Sequence, residues 1–421
     1  MHHSPNPFRT ARFSKRFLLP TVFACALLAA SLEKRVIFPP TAKPLGPYSP
    51  GIFAGEFLYI SGQGARRPDG QIPATFEEQA RQSFENVKSV LDTAGLTMEH
   101  VVYTHVYLEN SANYDAMNKV WAQYFSKGIP PARATVGVYK MPTDTPIEIN
   151  AVAVRDLSRK KAIIPPGYPA NATLSPGVMV GDRLYLSGFL GRDINTGKIP
   201  EEPAEQVQLA FTRINQTLAA AGMDFRHMVF VNPYLTKNMP MNVMNRIYAT
   251  HFEFGNTPAR ATIQVASLPN GANIEFTGVA IRDLSKRRAV RPKNMPPSPT
   301  ASPCVFAEDT FFCSAKSGFI AGPNGGIYAE DVENQVRQTM RNLLDGLEEA
   351  GLDFSNVVSS NVYVDDLSEF GKMNGVYGKY FSSAPPTRTT VAPLPPVERK
   401  RNASGHAPMV EQISIIAVKG Q

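Results

Sequence analysis

Cysteine and histidine are scarce in this chain, whose 421 residues include only three cysteines and seven histidines. The histidines beyond the N-terminus are scattered and show no metal-ligand spacing, so the sequence predicts no metal site. His105 lies on an alternating segment and is interpreted as a sheet residue rather than a catalytic base. No glycine-rich phosphate loop follows a predicted strand with the required spacing. From these residues we therefore expect neither a metal site nor a phosphate-binding loop.

A basic surface is also lacking, although the formal net charge is +7. Residues 1–40 hold six lysines and arginines against one glutamate, so this segment carries a surplus of five positive charges. The remaining chain is therefore close to +2. Because nucleic-acid recognition needs a basic face or stripe, the sequence predicts no nucleic-acid partner.

No apolar run is clearly long enough for a membrane span. The N-terminal run 17–30 is shorter than the roughly 20 residues that a transmembrane helix needs. Basic residues precede this run and small residues follow it up to Ser31, which is the pattern of a secretory signal peptide. We expect residues 1–40 to be a signal peptide and disordered lead. Cleavage near Ser31 would then yield a periplasmic or secreted protein without a membrane span, and a cytoplasmic location is the alternative.

Two cysteines, Cys304 and Cys313, remain after that leader. They flank two short predicted strands around a Glu308-Asp309 turn, and counting outward from the turn places them opposite one another. In an oxidising compartment they would form a cross-strand disulfide. Two small buried thiols are the alternative, and the sequence leaves both open.

The most prominent feature that is present is a motif written three times. The segment Pro130–Thr135 returns around Arg260 and again around Arg388, with arginines 127 and 128 residues apart. This period is a domain length, not that of a solenoid repeat of roughly 20–50 residues. The sequence therefore predicts three tandem domains after the lead, with boundaries at 41–158, 159–285 and 286–421. The basic runs at the joints, 155–161 and 282–288, are interpreted as solvated linkers.

Hydrophobic periodicity predicts an α+β domain in the first repeat. It indicates a hairpin over 52–61, a helix over 76–94 that Gly95 ends, a second helix over 112–125, and strands at 102–108, 134–139 and 147–154. The order gives a mainly antiparallel sheet of four or five strands with two helices on one face. Because the last strand is apolar on its other face too, that face must be buried. We expect one chain to pack its three sheets as an intrachain pseudo-trimer, with a higher oligomer left open.

Three residue types recur at matching positions and form the candidate site. Each repeat has the motif arginine, a glutamate on the last strand and a serine that ends the hairpin. In chain order of the repeats these are Arg133, Glu148 and Ser61, then Arg260, Glu275 and Ser187, then Arg388, Glu411 and Ser314. If the last two strands form a hairpin, Arg133 and Glu148 meet at one sheet end.

The chemistry of this set suits hydrolysis of a small electrophile that bears a carboxylate. A guanidinium is always charged and presents a planar fork that matches a carboxylate. A neighbouring glutamate can order or deprotonate a water molecule. A structural Arg–Glu salt bridge between domains is the alternative, and from these residues alone both stay open.

Several segments of the first repeat strongly resemble the RidA (YjgF/YER057c/UK114) family. They are 46–49, 58–63, the Glu78-Gln79 helix, 131–136 and 147–153, in order and with matching spacing, while the later repeats match more loosely. The resemblance implies chorismate-mutase-like domains, trimeric packing through the sheets and ligand clefts between units. It also implies cofactor-free hydrolysis of 2-imino acids and enamines, such as 2-aminoacrylate, to 2-oxo acids and ammonia.

Site roles follow from this resemblance. Arg133 would bind the substrate carboxylate and Glu148 would position the attacking water. Tyr48, Ser61 and Gly62 would line the cleft, and the backbone of Thr135 would add hydrogen bonds. The corresponding residues of repeats two and three are possible second and third sites.

The later repeats depart from this pattern. Tyr48 aligns with Leu174 and Ala301, Gln63 aligns with Phe189 and Lys316, and Gly62 is replaced by Ala315 in repeat three. We therefore expect one competent deaminase site, with Arg260 and Glu275 as the next most intact pair. The alternative is a non-catalytic pseudo-trimer, in an exported compartment, that binds small carboxylates or acts as a scaffold.

Overall fold

A computed structural model describes residues 34–168, 173–293, 295–322, 325–381 and 383–420. The predicted signal peptide and its cleavage point near Ser31 lie outside these residues. Repeat one contains β1 (Arg35–Ile37), β2 (Gly51–Ala54), β3 (Phe57–Gly64), α1 (Phe76–Thr93), β4 (Val101–Leu108), α2 (Tyr114–Tyr124), β5 (Ala132–Gly137) and β6 (Ile147–Val154). Repeat two contains β7 (Lys160–Ile163), β8 (Gly177–Val180), β9 (Arg183–Leu190), α3 (Pro203–Ala220), β10 (Met228–Leu235), α4 (Met241–Ala249), β11 (Ala259–Arg260), β12 (Ile263–Gln264) and β13 (Ile274–Ile281). Repeat three contains β14 (Arg287–Val290), β15 (Cys304–Ala307), β16 (Thr310–Lys316), α5 (Val332–Glu349), β17 (Val357–Val364), α6 (Phe370–Tyr377), β18 (Thr387–Val391) and β19 (Glu411–Val418).

Each repeat folds as one sheet with its two helices packed against it, which confirms the expected α+β class. The strand order in repeat one is β1-β2-β3-β6-β4-β5, and the other two sheets follow the same order. Pairing is antiparallel except between β4 and β5 and their counterparts, which run parallel. The sheets have six or seven strands rather than four or five. Each sheet has a short first strand that periodicity alone does not reveal, and in repeat two the edge strand is divided into β11 and β12. The first strand of repeat one, β1, lies before residue 41 and pairs with β2.

The first long helix shows why the sequence forms these elements where it does. The Thr75 hydroxyl accepts from the Glu78 backbone N–H, and the Glu78 carboxylate accepts from that of Thr75, which completes a capping box. Buried apolar residues along α1 face the sheet. Gly95 follows the helix with a φ of 77°, a left-handed conformation that favours glycine.

The other faces of the three sheets pack on one another in a single apolar cluster. Every repeat contributes to it, through residues that include Ile52, Tyr59, Val102, Val178, Tyr185, Val229, Val305, Phe312 and Val358. The apolar sheet faces that the sequence leaves uncovered are therefore buried against each other within one chain. The helices lie on the outside, where they form a separate core with each sheet.

A basic residue at the start of each repeat bonds the carbonyl groups of another repeat. Lys160 donates from Nζ to three backbone oxygens of repeat one, at 2.6 to 2.8 Å. Lys34 makes the equivalent bonds to repeat three, and Arg287 bonds Met228 O of repeat two at 2.9 Å. The joints are therefore not merely solvated linkers, and Lys34 connects the start of repeat one to repeat three.

Replacement of Lys160 by methionine should destabilise the protein by about 3 kcal/mol, because three buried carbonyl groups lose their shared donor. Burial disfavours the charged form of Lys160 and lowers its pKa to about 8. The hydrogen bonds to the three carbonyl groups therefore help to keep the ammonium group charged. Chemical denaturation at neutral pH measures the effect. The neighbouring Lys161 is exposed, and Lys161→Met should change the stability by less than about 0.5 kcal/mol. Equal effects of the two substitutions would contradict the assignment.

Cys304 and Cys313 form a disulfide between β15 and β16, where they face each other in the antiparallel register. The structure thus contains the disulfide rather than two free thiols. In the ranges that the structure describes, no helix is both long and apolar enough to cross a bilayer. The same ranges hold no group of three His, Cys, Asp or Glu side chains placed to bind a metal.

Candidate functional site

In every repeat the motif arginine donates its backbone N–H to the hairpin serine of another repeat. The three bonds are Arg388 N to Ser61 Oγ at 2.9 Å, Arg133 N to Ser187 Oγ at 2.9 Å and Arg260 N to Ser314 Oγ at 2.8 Å. We name the clefts around these contacts A, B and C in that order. Cleft A joins repeats three and one, cleft B joins one and two, and cleft C joins two and three.

The expected pairing of Arg133 with Glu148 is wrong. The sheet order places β4 between β5, which carries Arg133, and β6, which carries Glu148. Two strand spacings of about 4.8 Å therefore separate their backbones. As an edge strand, β5 presents Arg133 to repeat two instead. For the same reason Arg260 and Glu275 do not share a cleft.

Cleft A holds Arg388 in a box of aromatic rings. Its guanidinium carbon lies 5.4 Å from the ring centre of Tyr48, 5.5 Å from that of Phe370 and 5.0 Å from that of Tyr377. Such stacking stabilises a cation in a dry site. Its Nη1 is buried and has no hydrogen-bond partner among the described residues. The guanidinium is therefore charged and fixed in place, and its Nη1 is an unused donor toward an anion.

Glu148 faces this arginine from repeat one without forming an ion pair with it. Burial raises the pKa of Glu148 to about 8, and the nearby Arg388 limits that rise. The carboxylate lies directly against Gly62, where a Cβ would be only 1.7 Å from Oε1. Glycine at position 62 is thus required for Glu148 to point into the cleft.

A cavity of about 420 Å³ opens in cleft A. Tyr48, Gly62, Glu148, Arg388 and Thr390 all line it. Thr390 corresponds to Thr135 in the motif, and its Oγ1 is buried without a partner among the described residues. The cavity therefore offers a cation, a carboxyl group with a raised pKa and an unused hydroxyl at one place.

Ser61 has a different part from the one the resemblance implies. Its hydroxyl accepts from Arg388 N and donates to Ser49 O at 2.7 Å. Because its only proton is already donated, Ser61 cannot also donate to a substrate. It fixes the backbone of Arg388, and we regard it as a positioning residue.

Cleft B keeps the charges but engages them with protein groups. The guanidinium carbon of Arg133 lies 4.5 Å from the Trp121 ring centre, and Nη2 donates to Tyr114 Oη at 3.4 Å. Glu275 accepts from the backbone N–H of Thr135 at 3.3 Å. Phe189, at the position of Gln63, is buried. The Thr135 backbone thus serves the glutamate of repeat two and not Glu148.

Cleft C has lost the opposed pair. Arg260 donates from Nη1 to Asn245 Oδ1 at 2.8 Å. Glu411 turns away and accepts from the Thr339 hydroxyl on α5 of its own repeat. The physical reason is Ala315, because its Cβ occupies the space that the carboxylates take beside Gly62 and Gly188.

Sequence reasoning missed Thr390, Phe370 and Tyr377 as parts of cleft A. Aligning the repeats finds Thr390, since it holds the motif position of Thr135. The two rings lie on α6 and give no local signal, because helical aromatics usually form core. His105 is buried beside Tyr107 and Tyr234, away from cleft A, and burial lowers its pKa to about 3.

The Endoribonuclease L-PSP family model matches the chain three times, at residues 40–155, 167–282 and 297–396. These matches cover most of the sequence and coincide with the three folded repeats. The chain belongs to this family. These three matches, together with relatives named as a RutC family protein and as a 2-iminobutanoate/2-iminopropanoate deaminase, confirm the resemblance seen in the sequence and the three tandem copies.

Individual members of the Endoribonuclease L-PSP family match one repeat each. A RutC family protein of Pyrococcus horikoshii is 42% identical over 126 residues, 29% of this chain and 99% of that protein. The 2-iminobutanoate/2-iminopropanoate deaminase of Escherichia coli is 37% identical over 114 residues, 26% of this chain and 89% of that protein. The crystal structure of E. coli TdcF with bound serine is 35% identical and covers 29% of this chain and 100% of that chain, with a TM-score of 0.29.

Proposed function

We propose that this chain is a hydrolytic deaminase of small 2-imino acids and enamines, of the 2-iminobutanoate/2-iminopropanoate type. It would release 2-oxo acids and ammonia without a cofactor. The observation that carries the proposal is in cleft A, where a free buried guanidinium faces an unpaired buried carboxyl across a cavity. The name of the E. coli relative supports the same reaction.

The geometry suggests how the residues would act. Arg388 binds the substrate carboxylate through its fork, which orients the adjoining C=N carbon toward Glu148. Glu148 holds a water molecule, takes its proton as the oxygen adds to that carbon and returns the proton to the nitrogen, which gives a carbinolamine. Glu148 then passes the proton of the new hydroxyl to the nitrogen as the C–N bond breaks and the C=O bond forms, so that imino acid and water yield 2-oxo acid and ammonia. A pKa of about 8 suits a group that must both accept and donate near neutral pH.

Ammonia release from freshly generated 2-iminobutanoate tests this proposal, with spontaneous hydrolysis subtracted. A second candidate function is non-catalytic binding of small carboxylates. Two observations favour it: cleft C has lost the opposed arginine and glutamate, and in cleft B both residues are bonded to other protein groups. Calorimetric titration with 2-oxobutanoate separates the two functions. If 2-oxobutanoate binds but ammonia release is not accelerated, the chain is a binding protein and not a deaminase.

Gly62→Ala should lower turnover by at least about 100-fold. The Cβ of the new alanine would push the Glu148 carboxylate out of cleft A, in the same way that Ala315 excludes Glu411 from cleft C. The matched variant Gly188→Ala affects cleft B and should leave most of the activity. Steady-state rates of both variants measure the loss of turnover. A crystal structure of Gly62→Ala shows whether Glu148 has moved. If Gly62→Ala stays active although Glu148 is displaced, the Glu148 carboxyl group has no part in the reaction.

We further propose that the chain works as a monomeric pseudo-trimer in an exported compartment. The contacts of Lys34 with repeat three support self-closure, and the disulfide suits an oxidising environment. Light scattering should give the mass of a single chain. N-terminal sequencing of the protein recovered from its native compartment should start near Ser31, and an intact leader on a cytoplasmic protein would overturn export.

A further inference from the structure

Cleft A is larger and more basic than a short 2-imino acid requires. Its volume of about 420 Å³ lies within the range of about 300–1,000 Å³ for pockets that enclose drug-sized ligands. Four basic side chains line it, whereas Glu148 is its only acid; the four are Lys43, Arg66, Arg67 and Arg388. The proposed mechanism uses only Arg388. Three cations therefore remain without a role.

Arg66 is the best fixed of these three. It donates from Nη2 to Thr143 O at 2.7 Å and from Nη1 to Gly70 O. Asn86 on α1 holds the Arg66 backbone by donating to its carbonyl oxygen at 2.9 Å. The Nε of Arg66 is buried and lacks a hydrogen-bond partner among the described residues. Because buried donors are rarely left unpaired, this N–H is an unused donor on a side chain that lines the cavity.

We propose that cleft A selects 2-imino acids that carry a second carboxylate at the far end of the side chain. This inference rests on the proposed function only for the imine end of the ligand. Arg388 binds the carboxylate beside the C=N group, and Arg66 binds the second one with a charge-assisted hydrogen bond. Arg67 and Lys43 at the exposed rim add attraction for a dianion. A monoanion would leave the positive charge of the rim uncompensated.

The other repeats show that this feature belongs to cleft A. In repeat three, Asn342 bonds Phe319 O as Asn86 bonds Arg66 O, so an uncharged ring holds the position of Arg66. In repeat two, Arg192 holds that position, but its Nε already donates to Gly197 O at 2.9 Å. A free arginine N–H and a second arginine beside it therefore occur together in repeat one only.

Calorimetric titration of the full chain with two reaction products tests the inference. We expect 2-oxoglutarate to bind at least about tenfold more tightly than 2-oxobutanoate, the scale of one charge-assisted bond. Arg66→Met should reduce this ratio to about one, and Arg192→Met, the matched variant of repeat two, should keep it. Added salt should also reduce the ratio, since part of the attraction is between exposed charges.

The outcomes separate this inference from the deaminase proposal. Equal affinities of the wild-type chain for the two products would overturn the second-carboxylate site, whereas hydrolysis of 2-iminobutanoate would still uphold the deaminase. Conversely, an Arg66-dependent preference without turnover of 2-iminobutanoate or 2-iminoglutarate would overturn the deaminase alone. Displacement of bound 2-oxoglutarate by a short RNA would show that the basic rim serves phosphates, which would also overturn the inference.

Discussion

Arg388→Met should abolish most ammonia release from 2-iminobutanoate, with a loss of at least about 100-fold in kcat/KM. The lost interaction is a charge-assisted fork in a buried cleft, and the neutral methionine side chain cannot replace it. Methionine keeps much of the apolar stem, so contacts with the rings of Tyr48, Phe370 and Tyr377 persist in part. Steady-state rates and the thermal midpoint, measured on the same preparation, distinguish loss of chemistry from loss of fold.

Arg133→Met is the matched control, because Arg133 has the same motif position and is equally buried. It lies in cleft B, where its guanidinium already bonds Tyr114 and stacks on Trp121. We expect this variant to keep most of the turnover of the wild-type chain. Activity that depends on Arg133 and not on Arg388 would place the reaction in cleft B. Arg388→Lys should also fail, since an ammonium group cannot reproduce the bidentate fork.

Local structure could be predicted from the sequence where local chemistry decides it. The helix predicted over 76–94 and the strand predicted over 147–154 agree with α1 and β6 almost to the residue. The capping box and terminal glycine of α1 and the apolar, β-branched run of β6 all lie within or next to the segments themselves. The strand Arg35–Ile37 was not predictable in this way, since three residues carry too little periodicity and its pairing with β2 is non-local.

The grouping of the site residues depends on contacts that no segment contains. The motif predicted that an arginine, a glutamate and a glycine form the candidate site, but it did not indicate which repeat supplies each residue. Strand order separates Arg133 from Glu148, and packing of repeat three on repeat one brings Arg388 to Glu148 instead. The free Nε of Arg66 likewise depends on where Thr143 and Gly70 place their carbonyls. The combination of Arg388 with Glu148 therefore exists only when repeats three and one pack together.

Glu148→Gln should abolish turnover while stabilising the fold at alkaline pH. Burial raises the pKa of Glu148 from 4.5 to about 8, so the folded state holds this proton more tightly than the unfolded state does. The stability that the group contributes is complete below pH 4.5 and is lost as the pH rises through about 8. Glutamine has no such proton to lose. The thermal midpoint of the variant should therefore exceed that of the wild type at about pH 9 and match it at about pH 4.

Glu275→Gln separates the two effects, because burial also raises the pKa of Glu275 to about 8. This cleft B variant should show a similar gain in stability at alkaline pH and keep most of its turnover. In the wild-type chain, turnover should rise with pH up to about 8 and then level off, as the base in cleft A becomes ionised. A flat profile across that range, or an active Glu148→Gln protein, would mean that another group activates the water. The buried carboxyl would then serve only to weaken the positive potential around Arg388.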